Sequence, residues 1–198
     1  AALQKEGISF VSLVDSAVNA DVPWLEAVCR ALIRGGNKVQ WSGALAGYGG
    51  LGEETMSLMA RAGCTRVEIG VESGADGILH RMGKGTDRAH LSRLLRASHD
   101  AGLETVICLV VGFPGEGEEE LAATWTFLEE HRGVIDRVRS VNALCLQEHT
   151  PLMNRPEAFQ ISVPDPGEGW GHLWIGPDNN TPRQRRRRVL ETVMKLDS

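Results

Sequence analysis

Residues 62–74 read Ala62-Gly63-Cys64-Thr65-Arg66-Val67-Glu68-Ile69-Gly70-Val71-Glu72-Ser73-Gly74. A glycine suited to ending a helix is followed by a β-branched-rich run over 66–71, then by an acid, a hydroxyl and another glycine. That order describes a strand entered from a helix and left through a loop. The segment before it, 53–62, puts Met56, Met59 and Ala60 on one helical side and Glu53, Glu54 and Arg61 elsewhere. The same unit repeats in both directions. Further strands are predicted at 7–14, 38–46, 104–111 and 137–146, and further helices at 23–33, 87–101 and 118–131. The repeat length of roughly thirty residues is that of parallel βα units.

Punctuation agrees with this division. Gly35-Gly36, Gly63 and Gly102 stand where helices should stop, and Asp21 before Pro23 and Thr86 before Asp87 stand where they should start. Right-handed β–α–β crossovers narrow the α/β architecture to a doubly wound sheet or a barrel. After Leu146 the pattern breaks. Pro151, Pro156, Pro164 and Pro166 predict an irregular segment wrapping the sheet, and 183–195 a terminal helix.

The chain has 198 residues, 42% hydrophobic and 24% charged, with a net charge of −5. An acidic balance argues against a protein that grips nucleic acid. No run of about 18 apolar residues and no signal-peptide layout occur, so no membrane span is expected and a cytoplasmic location is. The chain does not begin with Met, and the expectation is a piece of a longer protein lacking an N-terminal segment or domain. Cys29, Cys64, Cys108 and Cys145 form no C-x-x-C pair and are expected to be free, buried thiols.

In a barrel or a doubly wound sheet, ligands bind at the carboxyl ends of the strands. Gly47-Tyr48-Gly49-Gly50-Leu51-Gly52 follows a strand, precedes a helix and matches G-x-G-x-x-G, with Glu72 twenty residues beyond Gly52. The strand before it carries Gln40, Trp41 and Ser42, and the motif does not open the domain; a flexible glycine loop explains it as well. Gly112-Phe113-Pro114-Gly115-Glu116 lets the backbone turn sharply beside a ligand, with peptide groups free for an adenine edge. The bland reading is a tight loop whose Glu116 faces the next helix. Glu72 and Ser73 put an acid and a hydroxyl at a strand end, suited to an ammonium or to ribose hydroxyls, or else to a cap. Arg81 and Lys84 offer cations for a carboxylate. Asp15 and Asn19 are read as turn or cap residues, His149 as a surface residue, Arg185–Arg188 with Arg183 as a solvated face or salt-bridging strip rather than a phosphate contact, and Trp170 and Trp174 as anchors or a substrate wall. No nucleophile elbow and no metal-ligand spacing of His, Asp or Glu are present.

Together these segments resemble the radical S-adenosylmethionine (SAM) superfamily, over about residues 7–160. The resemblance rests on Asp15-Ser16 with Asn19, the stretch 62–74, Ile78-Leu79 through Met82-Gly83-Lys84-Gly85, and Ala101-Gly102-Leu103 leading to Val110 through Glu116. It implies a partial (β/α)6 TIM-like barrel missing its first strand, with strands two to six in 1–150 and a C-terminal extension in 151–198. It implies that Glu72 and Ser73 meet the methionine amino group or ribose of SAM, that Gly112, Phe113 and Pro114 line the adenine, that Arg81 or Lys84 faces the carboxylate, and that Asp15 lies near the methionine end. It implies a [4Fe–4S] cluster in the intact protein, whose reduction cleaves SAM to a 5′-deoxyadenosyl radical acting on a small-molecule substrate. Trp41 and Thr150-Pro151-Leu152 look like the subgroup carrying a cobalamin-binding domain, whose outcome is methyl transfer. The departure is the cluster motif: C-x-x-x-C-x-x-C is absent from these 198 residues, so this chain by itself is expected to hold no cluster, to carry no catalytic residue and to be inactive. A NAD-dependent oxidoreductase using Gly47–Gly52 and a non-catalytic binding module are the alternative readings.

Overall fold

The computed structural model describes residues 2–164, 173–177 and 179–196. In chain order the elements are α1 (Ala2–Lys5), β1 (Phe10–Ser12), α2 (Val22–Arg34), β2 (Gln40–Ala46), α3 (Glu53–Arg61), β3 (Cys64–Glu72), α4 (Asp76–Arg81), α5 (Arg88–Asp100), β4 (Glu104–Val111), α6 (Glu118–Glu130) and β5 (Arg137–Ala143). α7 (Pro151–Asn154), a 3-10 turn (Pro156–Phe159) and α8 (Pro182–Leu196) follow.

The five strands pair in parallel in the order β1-β2-β3-β4-β5. A doubly wound sheet would reverse this order at a switch point. Here it never reverses, and the sheet curls into a half-barrel. Helices cover the outer face. Val67, Ile69 and Val71 of β3 and Ile107 and Leu109 of β4 pack there against Met56 and Met59 of α3, Leu91 and Leu95 of α5 and Phe127 of α6. Each such side chain, fully withdrawn from water, contributes about 1.5–3 kcal/mol.

Helix starts follow local chemistry. Asp21 accepts the Trp24 N–H at 2.9 Å with Pro23 in the first turn of α2. The start of α5 lies one residue beyond Thr86: Asp87 itself is the cap, accepting the His90 N–H at 2.7 Å, because its carboxylate reaches the third N–H of the helix.

Three expectations are corrected. β1 spans three residues rather than 7–14: it pairs only with β2, and Ile8, Phe10 and Val14 remain exposed. β5 ends at Ala143, since Leu146 leaves the sheet for a separate cluster with Ile161 and Trp174. Of the cysteines, Cys29 and Cys64 are buried, Cys108 is half-buried and Cys145 is exposed, and all four are free. The wrapping segment closes on itself through an antiparallel bridge between Ser162 and Ile175. Pro166, Trp170, Gly171 and His172 lie outside the described residues.

Candidate functional site

Alternation along β3 sends Val67, Ile69 and Val71 to the helices and leaves Arg66, Glu68 and Glu72 half-buried on the other, inner face. Charges there pair across strands. Glu104 accepts from Arg66 at 2.6 Å and lies 2.9 Å from Arg137, and Glu68 accepts from Arg139 and from the Cys108 thiol. These pairs line the amino-terminal and middle levels of the inner face. At the carboxyl end stands Glu72.

Glu72 sits in a left-handed conformation, φ 65°, where the β3–β4 register shifts between Gly70 and Glu72. A non-glycine residue at positive φ costs of order 1–3 kcal/mol, and such residues gather at functional sites. The bulge folds its carboxylate back over Gly70, where a β-carbon would lie 2.8 Å from Oε1, and Lys84 donates to the same oxygen at 2.8 Å. An acid is therefore held at the strand end by a cation from the following loop, and its Oε2 keeps acceptor capacity for another donor. Lys84 thus faces Glu72.

Ser73 has no exposed surface. Its hydroxyl accepts the Ala75 N–H and meets the Thr124 hydroxyl at 3.2 Å, so this side chain ties the β3 exit to α6.

The neighbouring strand ends in the loop 112–116, and this loop is buried rather than open. Gly112, Phe113 and Pro114 are all buried. Gly112 N–H donates to the Glu116 carboxylate, and the Gly112 and Phe113 carbonyls accept from Asn180 Nδ2 at 3.0 and 3.3 Å. The expectation of peptide groups free for an adenine edge is corrected at these three atoms, which have internal partners. Arg81 Nη1 donates to the Pro114 carbonyl at 3.2 Å, so it braces the loop from α4. Asp15 is exposed on the segment after β1.

Asn19 carries more than a turn. Its amide donates to the Ala46 and Tyr48 carbonyls at 3.1 Å and accepts the Ala46 N–H at 2.9 Å. That lock closes the end of β2 onto the Gly47–Gly52 loop. Gly47 itself is a packing position, with the Gly70 carbonyl and Leu91 each 2.9 Å from where a β-carbon would stand.

Sequence reasoning missed the residues behind loop 112–116. Arg185 and Arg188 of α8 are 4% exposed, which corrects the reading of a solvated face or salt-bridging strip at these two positions, while Arg183, Arg186 and Arg187 are exposed and Arg187 pairs with Glu191. Arg185 donates to the Asn180 and Trp174 carbonyls at 2.7 and 3.0 Å and stacks on the Trp174 ring at 3.6 Å. Trp174 is accordingly an anchor. Arg188 donates to the Glu116 carbonyl at 2.6 Å and lies 3.7 Å from its carboxylate. Burial pushes the Glu116 carboxyl up to about 7, against the opposing pull of the Gly112 N–H and Arg188. Burial also lowers Arg185 to about 10 and raises Cys64 to about 12, leaving Cys64 a protonated thiol rather than a ligand or nucleophile.

An iron–sulfur cluster needs converging thiolates. Cys29 and Cys64 are sealed in the core while Cys108 lies on the inner face and Cys145 is exposed, and no three His, Cys, Asp or Glu residues gather among the described residues. The residues present do not fit a cluster.

The radical SAM superfamily model matches residues 1–128. The chain belongs to the radical SAM superfamily. Among curated proteins it is similar to the ribosomal protein uS12 methylthiotransferase RimO of Syntrophotalea carbinolica, 31% identical over 70% of this chain and 31% of that protein. It is also 37% identical to the tRNA-2-methylthio-N(6)-dimethylallyladenosine synthase of Pelobacter propionicus, over 35% of this chain and 16% of that one. In fold this radical SAM chain resembles the methyltransferase TsrM of Kitasatospora setae, solved with cobalamin and a [4Fe–4S] cluster (TM-score 0.69, 19% identity, 85% of this chain, 35% of that chain). It also resembles the cobalamin-dependent radical enzyme OxsB (TM-score 0.71, 16% identity, 90% and 34%). The matched region is about a third or less of each relative.

Proposed function

We propose that this chain supplies the SAM-holding wall of a longer radical SAM enzyme, with SAM lying across the carboxyl ends of β3 and β4. The observation that carries the reading is Glu72: a strained acid at a bulge, beside loop 112–116, with one carboxylate oxygen taken by Lys84 and the other available to the SAM ammonium or ribose. Lys84 and Arg81 stand close enough in the chain to serve the SAM carboxylate, and Asp15 the methionine end. In such enzymes bound SAM is cleaved reductively to drive radical chemistry. The likeness to TsrM, a methyltransferase solved with cobalamin, supports cobalamin-dependent methyl transfer as the outcome here, and the likeness to OxsB supports cobalamin dependence alone. Because these residues do not fit a cluster, its ligands belong to a segment beyond these 198 residues, and this chain alone is inactive. The substrate is a small molecule taken up over the charged inner face, in a cytoplasmic protein.

Equilibrium dialysis with labelled SAM tests this. Glu72→Ala removes one charge-assisted hydrogen bond and is expected to weaken SAM binding roughly tenfold or more. Gly50→Glu, at a position where an added β-carbon would meet nothing within 4 Å, is expected to leave SAM binding unchanged. The opposite pattern, with NAD bound by the parent and lost in Gly50→Glu, would establish the oxidoreductase reading instead.

A further inference from the structure

Loop 112–116 is shaped from behind. α8 lies beside α6 in the helix layer, with the Trp125 indole donating to Thr192 and Arg188 3.7 Å from Glu118. From there it sends in two arginines where an amphipathic helix would send leucines. The stem of Arg185 fills the space a Gly112 β-carbon would need, and Gly112 stands at φ 79°, so loop and helix are complementary at this one residue. Asn180 holds two loop carbonyls, and Arg188 holds the Glu116 carbonyl and faces its carboxylate. The buried Nε of Arg188 has no partner, so burial of this guanidinium is not explained by full hydrogen bonding. Burying an incompletely paired cation is costly. What the arrangement obtains is a fixed loop.

We propose that Asn180, Arg185 and Arg188 are positioning residues for the SAM site, setting the conformation of loop 112–116 through its backbone and through Glu116. The proposal rests on the reading of that loop as part of the SAM wall. It makes the C-terminal extension a functional part of the site rather than a cover.

The charged groups facing Glu116 are Arg188 from α8 and Glu118 and Glu120 from the start of α6; Arg81 from α4 meets the loop at Pro114. Releasing the loop returns Glu116 to water, so a proton favours the clamped state. As pH rises from 5.5 to 8, clamping weakens by roughly thirtyfold, given the carboxyl at about 7 when buried and 4.5 when released. Amide hydrogen exchange at 112–117, corrected for the intrinsic rate, reads this in the full chain without ligand. The expected result is protection that falls across that range in the parent. Asn180→Ala and Arg188→Met are expected to lose at least tenfold at 112–117 with β3 and β4 unchanged, Arg188→Lys to recover part of it, and Glu116→Gln to show no pH step. The control Leu190→Lys, on the exposed side of α8, leaves the loop as it was.

A flat pH profile in the parent, or loop protection unchanged in Asn180→Ala and Arg188→Met, overturns the clamp. Dialysis with SAM on the same variants separates the two levels. Loop protection lost with SAM affinity intact overturns the positioning role, whereas a parent that binds no SAM at any pH removes the wall reading and with it the role assigned to the clamp.

Discussion

Gly74 marks the closest approach of the β3 exit to α6: a β-carbon there would lie 2.6 Å from Phe127 Cβ, 2.7 Å from Thr124 Cα and 3.0 Å from the Ala123 carbonyl. Two of these neighbours are backbone and cannot rotate away. Gly74→Ala is therefore expected to cost about 1–3 kcal/mol as overpacking, seen as a lower urea midpoint with unchanged slope. Glu116 makes a second prediction at this scale. Its folded pKa is raised, to about 7, so its contribution to stability is fully present below about 4.5 and is lost as pH rises through 7. The unfolding free energy of the parent minus that of Glu116→Gln should fall by about 2 kcal/mol between pH 5.5 and 8, since the amide has no proton to lose in that range. A difference that stays constant with pH would show that Glu116 is not buried as a carboxyl.

Elements differ in how far local chemistry decides them. α5 depends on its cap, and Asp87→Ala is expected to cost about 1 kcal/mol in thermal or urea unfolding, with Thr86→Ala costing less. α8 inverts the usual rule. Arg185, Arg188 and Thr192 share the buried side while Leu190, Val193 and Met194 share the exposed one. Their spacing was visible in the chain; which side faces inward was not, because the partners of the arginines, Glu116 and Trp174, come from other elements. β3 is the opposite case. Its alternating charged and apolar residues already separate an inner face from an outer one.

Among the described residues of the molecule, the sheet has two edges. β1 has β2 on one side, and Ile8, Phe10 and Val14 beside it are exposed, Val14 by 94%. An unpaired parallel edge with apolar flanks invites association. Sedimentation velocity is expected to show concentration-dependent self-association that Phe10→Lys reduces; a chain that sediments as a monomer at every concentration contradicts this. The other edge, β5, borders a groove of about 1080 Å³ between α6 and α8, lined by Trp125, Ile135, Val138 and Val193 among others. It lies beside β5, away from the carboxyl ends of β3 and β4.

The sequence by itself determined the βα alternation, four of the principal helices to within about a residue, β4 to the residue, and the family, through short segments whose chemistry is local: glycines that end helices, acids that cap them, β-branched runs that form strands. It also singled out Glu72 and the 112–116 loop. The family resemblance already implied a partial barrel, as found; the spacing of elements alone left a doubly wound sheet equally open, because strand order is a property of pairing between distant segments. Only the tertiary structure showed Ser73 turned into the β3–α6 contact, the loop's peptide groups already engaged, and Asn180, Arg185 and Arg188 behind them. The roles of Asn180 and Arg188 depend on hydrogen bonds between residues about seventy positions apart, and that of Ser73 on one between residues 51 apart. A buried arginine is recognised by the acid and carbonyls that surround it, and no spacing along the chain reports them.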